Sequence, residues 1–181
     1  TQSSEMRIFH EHILVKEPKT SERTPWHHDQ PYYCVDGDQV CSIWLPLDLV
    51  PRKAGLEFIA GSHAWGKMFM PKKFLTNEEY TYELGSFDSL PDIEANRDQY
   101  EILSWDLELG DCIVFHFKTL HGGAGNLSQR SRRRAFSSRW IGDDAVFADR
   151  PGETSPPFPE LSSFKQGDVL DHPLFPVCWK R

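Results

Sequence analysis

The stretch Gly110-Asp111-Cys112-Ile113-Val114-Phe115-His116-Phe117 decides how this chain is read. A Gly-Asp turn is followed by six residues dominated by β-branched and aromatic side chains, which predicts a strand over 112–117. Working outward, similar segments recur. They are VCSIWLPL at 40–47, LEFIA at 56–60 (closed by Gly61-Ser62-His63) and AFSSRWI at 135–141. RIFHEHILVK at 7–16 alternates, with Phe9, Ile13 and Val15 on one face and His10, His12 and Lys16 on the other. The 13 prolines and 12 glycines keep these segments short. Several short strands with turn signals between them point to an all-β sandwich or barrel.

Two stretches break the pattern. Residues 67–100 mix charges with Tyr and Phe at no clear period and read as an insertion, with a helical turn near 76–82. Residues 143–181 are rich in Pro and acids and read as an irregular tail, pinned to the body by Phe175 and Trp179. The expectation is one domain over 1–181 with its core at about 7–141.

Composition narrows the function. Hydrophobic residues make up 39% and aromatics 13%, enough for a packed core. A net charge of −7 argues against a general nucleic-acid binder. Apolar runs are too short to span a bilayer, and the opening residues lack the charged and apolar regions of a signal peptide. Cys34, Cys41, Cys112 and Cys178 show no CxxC spacing, so they read as reduced thiols in a cytoplasmic protein.

The densest set of ligating side chains is TPWHHDQPYY at 24–33. In an extended strand His27 and Asp29 emerge on one face and His28 on the other. A pair needs a third ligand to hold a transition metal firmly. His121 supplies one, in Thr119-Leu120-His121-Gly122-Gly123, just past the 112–117 strand. Two imidazoles and one carboxylate with open positions form the facial triad of non-haem Fe(II) oxygenases. The open positions suit a bidentate 2-oxo acid and dioxygen. A 2-oxoglutarate co-substrate also needs a cation for its far carboxylate, and the guanidinium fork fits one. The run Arg130-Ser131-Arg132-Arg133-Arg134-Ala135 leads into a strand. Parity there sets Arg133, Ala135, Ser137 and Arg139 on one face, and Arg132, Arg134 and Phe136 on the other.

On TPWHHDQPYY, SIWLPLD, AGSHAWG, WDLELGDCIVFHFKTLHGGAGNLS and RRRAFSSRW, the chain resembles the phytanoyl-CoA dioxygenase family of Fe(II)- and 2-oxoglutarate-dependent oxygenases. The resemblance implies a double-stranded β-helix, a cupin-like jelly roll. It implies His27, Asp29 and His121 as metal ligands and an arginine on the following strand as the 2-oxoglutarate anchor. Counting back from Ala135 gives Arg133; one extra residue in the preceding turn leaves Arg132 open. Trp44 matches a tryptophan near the co-substrate. Gly123 stands where many members carry Ser, and His28 where many carry Gln. The family's N-terminal helices, and a Lys or similar contact to 2-oxoglutarate, are expected to precede residue 1 and to be absent here.

The implied activity is hydroxylation of an unactivated C–H bond of a small organic substrate, with release of succinate and carbon dioxide. Fe(II), 2-oxoglutarate and O2 are the expected cofactors, with ascorbate as a stimulant and neither nucleic acid nor membrane as a partner. Asp29 favours hydroxylation over halogenation, since a halogenase needs that coordination position for chloride. The alternatives are a zinc hydrolase on the same barrel, a non-catalytic cupin-like binding module and an inactive fragment. Among the remaining residues, His116 reads as a packed core histidine, His63 as a turn residue, and His10 and His12 as structural or rim residues. Asn126 reads as fixing the turn after His121. Tyr32, Tyr33 and Trp44 stand open between pocket and core.

Overall fold

The computed structural model describes residues 2–72 and 87–181. Its strands, in chain order, are β1 (Glu5–Lys16), β2 (Thr24–His27), β3 (Val35–Asp36), β4 (Val40–Pro46), β5 (Leu56–Ile59), β6 (Ile102–Leu103), β7 (Ile113–Phe115), β8 (His121–Gly123), β9 (Arg133–Ile141), β10 (Val146–Phe147) and β11 (Val177–Lys180). One sheet runs β11-β1-β9-β4-β7 and a second runs β2-β8-β5-β6, with β10 and β3 forming a small third. The named pairings are antiparallel. This is the expected mainly β jelly roll: side chains from the two larger sheets line one cavity between them.

β9 organises the larger sheet, since it pairs with β1 on one side and β4 on the other. Arg133, Ala135, Ser137 and Arg139 are buried and line the cavity, while on the opposite face Arg134 is exposed and Ser138 is buried, with the Trp140 indole donating to its hydroxyl. β1 departs from its expected faces. The register against β9 slips between Ile8 and His10, so a bulge turns both Phe9 and His10 inward. Beyond it, Ile13 is exposed while His12 and Lys16 line the cavity. Phe9 therefore joins the core and Ile13 does not, contrary to strict alternation.

Three further expectations change. The strand at 112–117 extends only over β7, because the chain turns after Phe115, with Thr119 donating to the His116 carbonyl. His116 is half-buried in that turn and accepts from the Lys118 amide; it is not a core residue. The tail is less irregular than expected. Phe175 is fully buried, whereas Trp179 lies exposed on β11, paired to the edge of β1. Arg150 also pins the tail, donating to the Tyr33 and Val35 carbonyls and pairing with Asp36 at 2.7 Å. The helical turn expected near 76–82 falls outside the described residues.

The main core gathers Phe9, Tyr33, Val35, Phe117, Ile141 and Phe175. A second cluster, around Trp44, Phe58 and Phe115, lies under the site. All four cysteines are free thiols. The loop from β8 to β9 closes on Asn126, whose amide nitrogen donates to the Lys16 and Ser131 carbonyls and whose oxygen accepts from the Ser128 amide. This is the turn-fixing role expected of it. Gly125, one residue earlier, packs directly on the backbone of Thr20 and Ser21, where a Cβ would collide. Gly125→Ala is expected to lower unfolding free energy by about 1–3 kcal/mol, the usual cost of overpacking, in a urea titration. An unchanged midpoint would show that the 20–21 segment yields freely.

Candidate metal centre and co-substrate cavity

β2 and β8 pair with His27 directly opposite His121. The pairing sets the two imidazoles side by side, with ring centroids 4.2 Å apart. Each ring is fixed the same way, by a hydrogen bond between Nδ1 and the carbonyl two residues earlier. The partners are Pro25 O at 2.8 Å for His27 and Thr119 O at 2.9 Å for His121. A carbonyl only accepts, so Nδ1 carries the proton and Nε2 keeps its lone pair, the state a metal ligand requires.

Asp29 reaches the same point by another route than expected. β2 ends at His27, and Asp29 adopts a right-handed helical conformation at the head of the Gln30–Tyr32 turn. The amides of Asp29 and Gln30 both donate to the Phe117 carbonyl, which fixes that turn. The Asp29 carboxylate then stands 3.7 Å from His27 Nε2 and 3.8 Å from His121 Nε2. The ligand atoms of the three residues all lie within 4.8 Å of one another, and all three residues are buried. His28 is turned away, its Nε2 accepting from the Phe69 amide at 2.9 Å.

The electrostatics suit a cation. Burial, aided by His121, pushes His27 down to about 3, and burial likewise lowers His121. Burial would raise Asp29, but Arg139 and the two imidazoles hold it at about 2. Two neutral nitrogens and one ionised oxygen thus converge in a site shielded from water. Ser42 orients the carboxylate, donating to Asp29 Oδ2 at 2.7 Å. Phe58 stacks on the His121 ring and Phe115 flanks it, walling off solvent.

The triad opens into a cavity of about 210 Å³. At one end lies Arg133, buried, donating to the Ala54 and Ala124 carbonyls. Arg132 points away, exposed and paired with Glu17. Trp44, Tyr32 and Tyr33 line the cavity and are also packed in the core, so both readings held open for them apply. Gly123 does not line it; it is buried against Leu56 and Thr24, which do. His63 lies on an exposed turn.

Sequence reading missed three contributors. Lys16 lines the cavity directly across from Arg133 in the β1–β9 register, and its Nζ donates to the Ala124 carbonyl. Burial and the nearby Arg133 pull its ammonium down to about 8. A lysine therefore stands beside Arg133 within this chain, where the resemblance placed a lysine contact to 2-oxoglutarate before residue 1. Arg139 and Ser42 are the others. The parity of β9 put Arg139 on the correct face, but nothing local tied it to Asp29.

The comparisons agree with this geometry. A sequence model described as phytanoyl-CoA dioxygenase matches residues 2–135, so the chain belongs to the phytanoyl-CoA dioxygenase family. A probable phytanoyl-CoA dioxygenase of Caenorhabditis elegans is 25% identical over 150 residues, covering 78% of this chain and 44% of that protein. The chain thus spans less than half the length of this curated relative. Among solved structures, the non-haem α-ketoglutarate-dependent carbocyclase SnoK from nogalamycin biosynthesis is similar at a TM-score of 0.70 and 25% identity. That match covers 96% of this chain and 62% of SnoK. The epimerase SnoN from the same biosynthesis is similar at a TM-score of 0.62 and 24% identity, covering 96% of this chain and 63% of its own.

Two expectations follow from the geometry. Ser42→Ala is expected to weaken divalent-metal binding by about 10–100-fold, read by calorimetry with Mn(II); unchanged affinity would remove Ser42 from the site's support. The second concerns acid. His10 is buried with both ring nitrogens unpartnered, and burial together with Arg139 and His12 pushes it down to about 3. His28 is lowered by burial to about 4. Unfolded imidazoles bind a proton near 6.5, so between that value and about 3 the unfolded state holds more protons and stability falls as the pH is lowered. The metal-free melting temperature is therefore expected to drop from about pH 7 to about pH 4, and to drop less in His10→Phe. An equal drop in the variant would contradict a neutral buried His10.

Proposed function

We propose that this chain carries the catalytic barrel of an Fe(II)- and 2-oxoglutarate-dependent oxygenase that hydroxylates a C–H bond of a small organic substrate. The observation that carries this is the buried His27–Asp29–His121 cluster opening into a cavity whose far end is cationic. Two nitrogen donors and one oxygen donor, with the remaining coordination positions facing the cavity, suit ferrous iron. A site with only these protein ligands leaves room for a bidentate 2-oxo acid.

In this reading His27, Asp29 and His121 hold Fe(II), and Arg133 with Lys16 neutralises the distal carboxylate of 2-oxoglutarate. Fe(II), 2-oxoglutarate and dioxygen, when bound, would supply an oxidant able to attack an unactivated C–H bond, with succinate and carbon dioxide released. The chain's own part is placement and exclusion. Pro25 and Thr119 carbonyls hold the imidazoles in the ligating tautomer, Ser42 holds the carboxylate, and Phe58, Phe115 and Trp44 keep bulk water out. The hydroxyl lost where Gly123 replaces Ser has a neighbour to replace it. Thr24 Oγ1 lies 3.7 Å from where a Cβ at position 123 would stand, and Thr24 lines the cavity.

Asp29 supports hydroxylation over halogenation, because it fills the position a halide would need. The described outcomes of SnoK and SnoN, carbocyclisation and epimerisation, make the product a question for measurement. No described helix is long and apolar enough to cross a membrane. The free thiols support our reading of a cytoplasmic protein.

The test is succinate formation from 2-oxoglutarate with added Fe(II) and ascorbate, with candidate substrates screened for a product that gains one oxygen atom. Asp29→Ala and His121→Ala are expected to abolish turnover; full activity in either would sink the triad assignment. Arg133→Ala is expected to raise the 2-oxoglutarate KM by about tenfold or more, the scale of a lost charge-assisted pair, and Arg132→Ala to leave it near wild type. The reverse ranking would move the anchor to Arg132.

A further inference from the structure

The charges around the cavity do not balance. β9 places an arginine at each end of it, Arg133 and Arg139, with Ala135 and Ser137 between them. Lys16 adds a third cation beside Arg133. Against these three, Asp29 is the one carboxylate among the described lining residues. In the reading above, a divalent metal ion and a doubly negative co-substrate cancel each other. Arg133 and Lys16 already serve the co-substrate's distal carboxylate. Among the described residues Arg139 is then left to share Asp29 with the metal site, and has no counter-ion to itself.

Its surroundings bear this out. Arg139 is 7% exposed, so its charge is nearly removed from bulk water. Nε donates to Tyr33 Oη at 2.9 Å and Nη1 to the Ser137 carbonyl at 2.9 Å, both neutral acceptors. Its nearest carboxylate oxygen, Asp29 Oδ2, stands 3.9 Å from Nε, accepts from Ser42, and belongs to the metal cluster. Nη2 finds no partner among the described residues. Burying a guanidinium without an anion to itself is unfavourable, and an anionic ligand recovers much of that cost. His12, a cavity residue paired with Ser137 in the β1–β9 register, lies on the same side, and Tyr32 and Tyr33 supply apolar surface beside it.

We propose that Arg139 binds an anionic oxygen group of the primary substrate, a carboxylate in the simplest case. The substrate would lie with its acidic head at Arg139 and its carbon skeleton against Tyr32 and Tyr33, at the end of the cavity away from Arg133. This names a substrate class for the same site and rests on the oxygenase reading, which assigns Arg133 and Lys16 to the co-substrate.

The test is calorimetric binding of phenylacetate and of its neutral counterpart phenylacetamide to protein loaded without oxygen with Fe(II) and 2-oxoglutarate. Wild type is expected to prefer the carboxylate by about tenfold or more, the worth of one charge-assisted contact. Arg139→Gln is expected to lose that preference while phenylacetamide binding is unchanged, and Arg139→Lys to keep part of it. No preference in wild type, or a preference that survives in Arg139→Gln, overturns the proposal. Should Arg139→Gln fail to fold, Arg139→Lys decides. Weakening confined to the carboxylate supports the site, and equal weakening of both probes overturns it. The same titration on metal-free protein carrying both Arg133→Gln and Lys16→Gln reads Arg139 without the other cavity cations. A failure of wild type to bind 2-oxoglutarate would therefore sink the oxygenase reading and leave this one separately decided.

Discussion

The antiparallel pairing of β2 with β8, with His27 set against His121, is the constraint on which the rest of the site depends. It makes two distant parts of the chain present imidazoles at one point without any long side chain. Such close pairing demands small residues on β8, and Gly122 meets the demand, because a Cβ there would lie 3.2 Å from the Thr24 carbonyl and 3.3 Å from the Trp26 ring. The third donor does not come from an extension of the same strand. The chain instead breaks pairing after His27, and the Phe117 carbonyl captures the next two free amides. The Asp29 carboxylate is carried round by that turn, which leaves one oxygen toward the imidazoles and the other for Ser42.

β9 does for the cavity what the β2–β8 pair does for the cluster. As the central strand of its sheet it is held on both edges, so its alternation cannot slip. Four inward side chains then mark out the length of the cavity in order, with a guanidinium at each end. Lys16 and Arg133 face one another as register partners and share the Ala124 carbonyl. Two like charges held this close and half-buried repel unless an anion lies between them. The carbonyls of Glu22, Ala54 and Ala124 offset part of that repulsion, and the Lys16 ammonium is lowered by the rest together with its burial.

The sequence was legible wherever a signal was local. Short β-branched runs located β4, β5 and β9, and parity placed Arg133, Ala135, Ser137 and Arg139 together on the cavity side of β9. Parity failed on β1, because a bulge at Phe9 shifts the register and no residue in RIFHEHILVK announces it. The residues of the metal cluster were recoverable from their types and spacing, but the local geometry was not. An extended strand was expected through Asp29, and a turn was found, since only the distant Phe117 carbonyl makes that turn favourable. Ser42 and Lys16 were missed for the same reason. Serine in a strand and lysine at a strand end are unremarkable until the fold brings Asp29 and Arg133 beside them.

The division of the cavity also bears on how one scaffold can support different outcomes. The three donors and the cationic end define what the metal and co-substrate do, and in the proposed reading neither touches the primary substrate. Which hydrogen is presented, and for how long the resulting carbon stays in place, depends on groups at the other end. Here those groups are Tyr32, Tyr33, His12 and Arg139, contributed by the turn after β2, by β1 and by the far end of β9. None of these positions is required for the β2–β8 pairing or for the anchor. A change among them would alter what is bound and leave the donors in place. Arg139 is the partial exception, since it touches both worlds, standing 3.9 Å from the Asp29 carboxylate and lining the cavity. An anion bound at Arg139 would draw part of the guanidinium's field away from Asp29 and so increase the carboxylate's effective negative charge toward a metal. If the proposed site holds, substrate occupancy and metal affinity would thereby be coupled through one side chain, and by linkage each would strengthen the other.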